Sequence, residues 1–227
     1  MKIKHIFFDL DHTLWDFEKN STLAFQQIFE ELEINLVINT FLKVYKPINF
    51  QYWKQYREEK TTKEKLKYGR LKDTFDILKT PISDQWINLI ADKYLQYLPT
   101  YNHLFDGAIE LLEYLQTKYQ LHIITNGFED IQEKKIKKSR IKKYFQHIIT
   151  SEKVGVKKPN YKIFQYALKT ANANPKESYM IGDNLEADIF GAMNCSMNVI
   201  YCNFENEKVE NKKILSIQHL LEIKQYI

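Results

Sequence analysis

The sequence holds little of what proteins use in place of a folded core: of 227 residues, six are glycine, five proline and two cysteine. So little glycine and proline excludes collagen-like, linker-rich and disordered architectures. Cys195 and Cys202 cannot form a disulfide framework, and no pair of C-x-x-C motifs or cluster of histidines suggests zinc, so a reducing compartment is expected. Long apolar runs are missing too. The first apolar stretch, Ile6-Phe7-Phe8, meets a carboxylate at Asp9, too soon for a signal-peptide core, and no run approaches the roughly 20 residues that cross a bilayer. A cytoplasmic protein with no membrane partner is expected. Charge of one sign is not in surplus either, with 33 basic against 29 acidic residues, which argues against nucleic acid as a partner. Aromatics are plentiful: 14 Phe, 15 Tyr and 3 Trp give the chain a sizeable core without staples.

Apolar periodicity divides the chain. Lys4 to Asp9 reads as a strand covered on both faces. From Asp16 to about Pro99 the pattern is helical, with segments near Thr22 to Leu32, Phe41 to Arg57, Lys65 to Leu78 and Asp84 to Leu98. Strand and helix then alternate. Strands are expected at Leu121 to Thr125, His147 to Thr150, Tyr179 to Gly182 and Asn198 to Cys202. Helices are expected at Gly107 to Tyr119, Asp130 to Lys138, Asn160 to Ala171 with Asn160 as cap, Leu185 to Met193, and from a Ser216 cap through Ile223. This pattern predicts an α/β fold: a three-layer, Rossmann-like core with a parallel sheet over residues 1–15 and 102–227, interrupted by an all-helical domain over 16–101.

In such sheets ligands bind beyond the carboxyl ends of the strands, and four of those ends carry polar residues. Strand one runs into Asp9-Leu10-Asp11-His12-Thr13, where residues two apart in extended backbone point the same way, about 7 Å apart. Thr125-Asn126-Gly127 supplies a hydroxyl, an amide and a residue that permits close backbone approach. Val154 to Pro159 delivers Lys158 on a loop stiffened by proline. Gly182-Asp183-Asn184-Leu185-Glu186-Ala187-Asp188 adds two carboxylates. Carboxylates, a lysine and a hydroxyl on one edge suit a hard divalent cation and a phosphoryl group.

These four motifs resemble those of the haloacid dehalogenase (HAD) superfamily, and the helical insertion resembles its C1-type cap. The resemblance spans the chain. It implies Asp9 as nucleophile, forming an aspartyl-phosphate, and Asp11 as acid and base, its main-chain carbonyl on the metal. It further implies phosphoryl binding by Thr125 and Asn126, charge neutralisation by Lys158, Mg²⁺ on Asp9, Asp11 and Asp183, and support of that metal by Asp188. Lys158 is preferred to Lys157 because the family's lysine stands immediately before the proline. An aspartate at position 11, where a dehalogenase resembles D-x-Y, points to phosphate-ester hydrolysis.

Specificity in this family lies in the cap and the loop that leads to it. There, Trp15 and Phe17 could present a flat face to a nucleobase, with Phe50, Tyr52, Trp53 and Tyr56 completing a slot; cap packing is the alternative for each ring. The D-H-T-L-W-D-F-x-x-N-S loop is similar to the YjjG-like pyrimidine 5′-nucleotidase branch, implying a nucleoside monophosphate substrate and a monomer or weak homodimer. Phosphoglycolate or a sugar phosphate is the alternative substrate, and a dehalogenase or a non-catalytic phosphometabolite-binding protein lie further off. Ser196 stands where the family commonly has a glycine suited to positive φ. His12 points away by alternation and reads as structural, and the basic run Lys134 to Lys143 reads as two short helical pieces with a solvated face.

Overall fold

The computed structural model describes residues 2–209, 211 and 214–227. The chain divides into two compact units, Met1–Phe17 with Asn102–Ile227, and Glu18–Tyr101. In the first, six parallel strands form one sheet in the order β3-β2-β1-β4-β5-β6. They are β1 (His5–Phe8), β2 (Gln120–Thr125), β3 (Phe145–Thr150), β4 (Ser178–Gly182), β5 (Asn198–Cys202) and β6 (Leu215–Ile217). All four residues of β1 are buried, as expected of a central strand covered on both faces. Phe8 is in register with Ile123 of β2 and Ile181 of β4, and the Asp9 N–H donates to the Ile181 carbonyl at 2.9 Å. Asp9 therefore leaves the sheet between the ends of β2 and β4.

The α/β fold with a parallel sheet and an inserted helical segment agrees with the sequence reading; residues 185–227 depart from it in two places. Ser216 does not cap a helix. It lies within β6, paired with Tyr201, and a 3₁₀ run at Leu220–Gln225 follows, capped by His219, whose own N–H bonds Glu222 Oε1 at 2.6 Å. A three-residue edge strand carries too little alternation to announce itself, and β5 supplies the ladder that defines it. The expected helix at Leu185–Met193 is a π-helical turn, Leu185–Phe190, before one α-helical turn. Asn160 does cap its helix, accepting from the Lys162 N–H, and Ser196 does adopt a positive φ, of 60°.

The second unit is built from α1 (Phe17–Glu31), which begins one residue before it, α2 (Ile38–Arg57), α3 (Lys63–Ile77) and α4 (Asp84–Tyr97); α5 (Ala108–Gln116) is the next helix of the first unit. Thr62 and Ser83 cap α3 and α4 through their hydroxyl oxygens, satisfying N–H groups left over at the helix starts. Phe25 sits at the centre, its ring 4.4 to 4.9 Å from those of Tyr94, Tyr45 and Phe41. Among the described residues no helix is long and apolar enough to cross a membrane.

Three histidines stand side by side on β1, β2 and β3. His5 Nδ1 lies 3.2 Å from His122 Nε2, and the His122 ring stacks on His147 at 5.3 Å and on Phe7 at 4.6 Å. Burial, then the neighbouring His5 and His147, push the His122 pKa down to about 3, and burial lowers that of His5, against the pull of Glu177 and with the push of Lys4 and His147. A group whose pKa is lower folded than unfolded leaves stability intact above the unfolded value near 6.5 and removes it as the pH falls from there toward the folded value. Urea unfolding at pH 7 and pH 5 is expected to show His122→Phe losing about 2 kcal/mol less than the native chain over that interval. Equal losses would mean that His122 is already protonated in the fold.

Candidate active site

The loops after β1, β2, β3 and β4 bring two clusters to the carboxyl edge of the sheet. At the centre of the first is Lys158, which follows the short helix α7 (Ser151–Val154) and precedes α8 (Tyr161–Thr170). Its side chain is 2% exposed. The ammonium donates to Asp9 Oδ1 at 2.6 Å, Asp188 Oδ1 at 2.6 Å and the Ile124 carbonyl at 2.7 Å, so all three protons are used. Asn126 clamps the lysine's backbone from both sides: its carboxamide nitrogen donates to the Lys158 carbonyl at 2.9 Å, and its oxygen accepts the Lys158 N–H at 2.8 Å. The Asn126 side chain, expected on phosphate, is thus engaged with the loop that carries Lys158.

Asp188 reaches Lys158 because the π-helical turn after β4 widens the backbone there. Its second oxygen accepts the Asn184 N–H at 3.0 Å, and Asn184 Oδ1 accepts the Ala187 N–H at 2.8 Å. Gly182 makes room, since a Cβ at that position would lie 2.3 Å from Asp188 Oδ2. Asp183 accepts from the Thr13 hydroxyl at 3.2 Å. Carboxylate oxygens of Asp9, Asp183 and Asp188 lie within 4.8 Å of one another. Burial first, then mutual repulsion, raises the pKa of Asp183 to about 8 and that of Asp9 well above the carboxylate range, although Lys158 opposes the rise at Asp9. For Lys158, burial lowers the pKa, but Asp188 and Asp9 outweigh it and the ammonium stays charged. Three carboxylates, Asp9 and Asp188 buried and Asp183 half-buried, against one ammonium form an oxygen-only donor set with a surplus of negative charge, which a hard divalent cation fits.

The second cluster surrounds Asp11. Its Oδ1 accepts from Lys135 Nζ at 2.6 Å and its Oδ2 from Gln132 Nε2 at 2.9 Å. The same Gln132 nitrogen donates to Thr125 Oγ1 at 2.7 Å, and Thr125 Oγ1 also accepts the Gly127 N–H at 3.1 Å. Neither Gln132 nor Lys135 was expected here. Both belong to α6 (Glu129–Lys138), whose first turn follows Gly127. The basic run is solvated at Lys134, Lys137, Lys138, Arg140, Lys142 and Lys143 but not at Lys135, whose side chain is 3% exposed. A signal was available: Ile131, Gln132, Lys135 and Ile136 recur at the spacing of one helix face, so the two isoleucines carry the polar pair inward with them.

Trp15 and Phe17 lie against this second cluster. Trp15 is fully buried, and the Lys135 ammonium stands 4.2 Å from its ring centroid and 5.3 Å from that of Phe17. One face of the indole is therefore covered by a cation. His12, at a positive φ of 61°, turns its ring against Phe17 at 4.8 Å, in keeping with a structural part. Of the other rings expected to line a slot, Phe50 is exposed, Tyr52 donates to Asp73 at 2.8 Å, Trp53 packs edge-on to Tyr56, and Tyr56 is buried.

Comparison with known proteins places these features in context. Residues 6–202 match the family model described as haloacid dehalogenase-like hydrolase. The pyrimidine 5′-nucleotidase YjjG of Escherichia coli is 33% identical over 208 residues, covering 89% of this chain and 87% of its own. A glyceraldehyde 3-phosphate phosphatase of Pyrococcus abyssi is 34% identical over 209 residues, covering 89% and 82%. The crystal structure of the HAD-hydrolase YfnB of Bacillus subtilis, bound to magnesium, superposes with a TM-score of 0.90 at 27% identity, covering 100% and 99%.

Removing Lys158 leaves Asp9 and Asp188 buried without their cation, a change that costs about 3–5 kcal/mol in buried ion pairs. Lys158→Met is expected to lose stability of that order in urea unfolding without added metal. A loss under about 1 kcal/mol would mean the ammonium is not the counter-charge of this cluster.

Proposed function

The chain belongs to the haloacid dehalogenase-like hydrolase family, and from that premise we propose that it is a Mg²⁺-dependent phosphomonoesterase working through an aspartyl-phosphate, with nucleoside 5′-monophosphates as its substrates. The observation that carries the reaction is the pair Asp9 and Asp11, two residues apart and held by different cations, Lys158 and Lys135. An Asp9 oxygen attacks phosphorus. The bond from phosphorus to the ester oxygen breaks, and Asp11 gives that oxygen its proton, releasing the alcohol. Asp11 then takes a proton from water as the water oxygen attacks the aspartyl-phosphate; the bond from phosphorus to Asp9 breaks, and inorganic phosphate leaves.

Thr125 holds phosphoryl oxygens through its hydroxyl, and Asn126 does so through its main-chain N–H, since its carboxamide is occupied by Lys158. Lys158 balances the charge of the nucleophile and of the phosphoryl group. Asp9 and Asp183, with the Asp11 main-chain carbonyl, would hold Mg²⁺. Asp188 supports them by fixing Lys158, both of its oxygens being already engaged. When bound, the cation supplies further neutralisation of the phosphate charge. Trp15 and Phe17 shape specificity through the loop they anchor, since no open indole face is presented.

The nucleotidase reading rests on the Asp11 to Ser21 loop and the likeness to YjjG. The comparable identity to a glyceraldehyde 3-phosphate phosphatase favours a second reading, a small sugar-phosphate substrate. Phosphate release is to be measured with Mg²⁺ on purine and pyrimidine monophosphates, glyceraldehyde 3-phosphate, phosphoglycolate and hexose phosphates. Pyrimidine monophosphates are expected to give the highest kcat/KM, and a preference for glyceraldehyde 3-phosphate would replace the first reading with the second. Asp9→Asn should retain its circular dichroism and lose turnover by on the order of 10⁴-fold or more. Chelation should stop turnover and added Mg²⁺ restore it; activity retained in chelator would overturn the metal assignment.

A further inference from the structure

The mechanism assigns no part to Gln132 and Lys135, although they take both oxygens of Asp11 and are themselves buried. A charged lysine out of water is costly unless something holds it there. Here Asp11 Oδ1 and the indole face do so, at 2.6 Å and 4.2 Å. Gln132 is fixed in one orientation, because its carboxamide oxygen in place of Nε2 would face a carboxylate. Thr125 Oγ1 in turn accepts two N–H bonds, from Gln132 and Gly127, so its own hydrogen is left to donate to an anion. Gly127 cannot carry a side chain there, since a Cβ would come within 2.5 Å of the Gln132 carboxamide.

We propose that Gln132 and Lys135 are positioning residues for the hydrolase reaction: Lys135, seated on Trp15, fixes where Asp11 delivers its proton, and Gln132 ties Asp11 to Thr125 while turning the threonine hydroxyl into a donor. The inference rests on Asp11 being the general acid. It reassigns Trp15, whose contribution to turnover passes through Lys135. It also gives the buried α6 face a purpose beyond packing, because three residues apart on one helix is the spacing at which two side chains meet the same carboxylate.

A general acid matters when the leaving group is an alkoxide and matters little when it is p-nitrophenolate, which departs readily as an anion. The measurement is kcat/KM, which reports the steps through leaving-group departure. It is made on p-nitrophenyl phosphate and on the best alkyl phosphate of the panel above. Lys135→Met is expected to lower the alkyl value about 10- to 100-fold and the p-nitrophenyl value less than about threefold, and Lys135→Arg should recover most of the loss. Trp15→Phe, which keeps a ring beneath the ammonium, should show the same split more weakly and serves if Lys135→Met does not fold. Asp11→Asn is measured alongside. If Asp11→Asn depresses both substrates alike, the acid assignment fails. If Asp11→Asn splits them while Lys135→Met or Trp15→Phe lowers both equally, the acid assignment stands and the positioning role is overturned.

Discussion

The ion pair on which this fold converges is Lys158 between Asp9 and Asp188. Each partner comes from a different strand end, and the lysine's third proton reaches back to Ile124 within β2. A single ammonium thereby fastens the loops after β1, β3 and β4 to the strand that carries Thr125. Much of the local backbone makes sense only in that light. The π-helical turn swings Asp188 inward, Gly182 leaves space for it, and Asn126 holds the lysine's own peptide on both sides. Buried pairs of this kind contribute modestly to stability but fix geometry, because every alternative leaves a charge stranded.

That constraint also explains how two aspartates in one short loop come to differ. Asp9 is nine-tenths buried among other carboxylates, which raises its pKa, and the Lys158 ammonium is the cation that opposes the rise. Asp11 lies two residues on, partly open, and faces Lys135 and Gln132 in place of Asp183 and Asp188. Residues two apart at the end of β1 stand about 7 Å from each other, room enough for each carboxylate to meet its own lysine, and the His12 turn, whose N–H bonds the Trp15 carbonyl at 3.0 Å, closes the loop behind them.

Much of this arrangement was legible in the sequence because it depends on order and local chemistry. A strand followed by carboxylates, a strand followed by Thr-Asn-Gly, and a lysine before a proline each announce a position at the sheet edge, and a parallel sheet gathers those positions automatically. What was not legible depended on which way a helix faces. Lys135 was hidden in a run of ten residues holding seven cations; charge composition points such a run at solvent, whereas Ile131 and Ile136 decide which face goes in. Trp15 was legible only as a choice between an open platform and packing, because nothing local reveals that an ammonium from residue 135 covers its ring. The β6 edge strand is a tertiary product as well, defined by its pairing with β5.

Seen together, the two lysines divide the labour of charge at the sheet edge. Lys158 is surrounded by carboxylates and uses all its protons, so it cannot turn toward anything else without breaking a buried bond. Lys135 has carboxylate on one side and aromatic faces on the other, a softer seat from which the partner carboxylate can give up one oxygen without leaving a bare cation in an apolar pocket, because the rings still solvate it. Under the proposed mechanism Asp9, as nucleophile, needs a fixed neighbour and Asp11, as proton carrier, needs a forgiving one. The difference between a lysine held by three oxygens and a lysine held by one oxygen and two rings supplies both within the same loop.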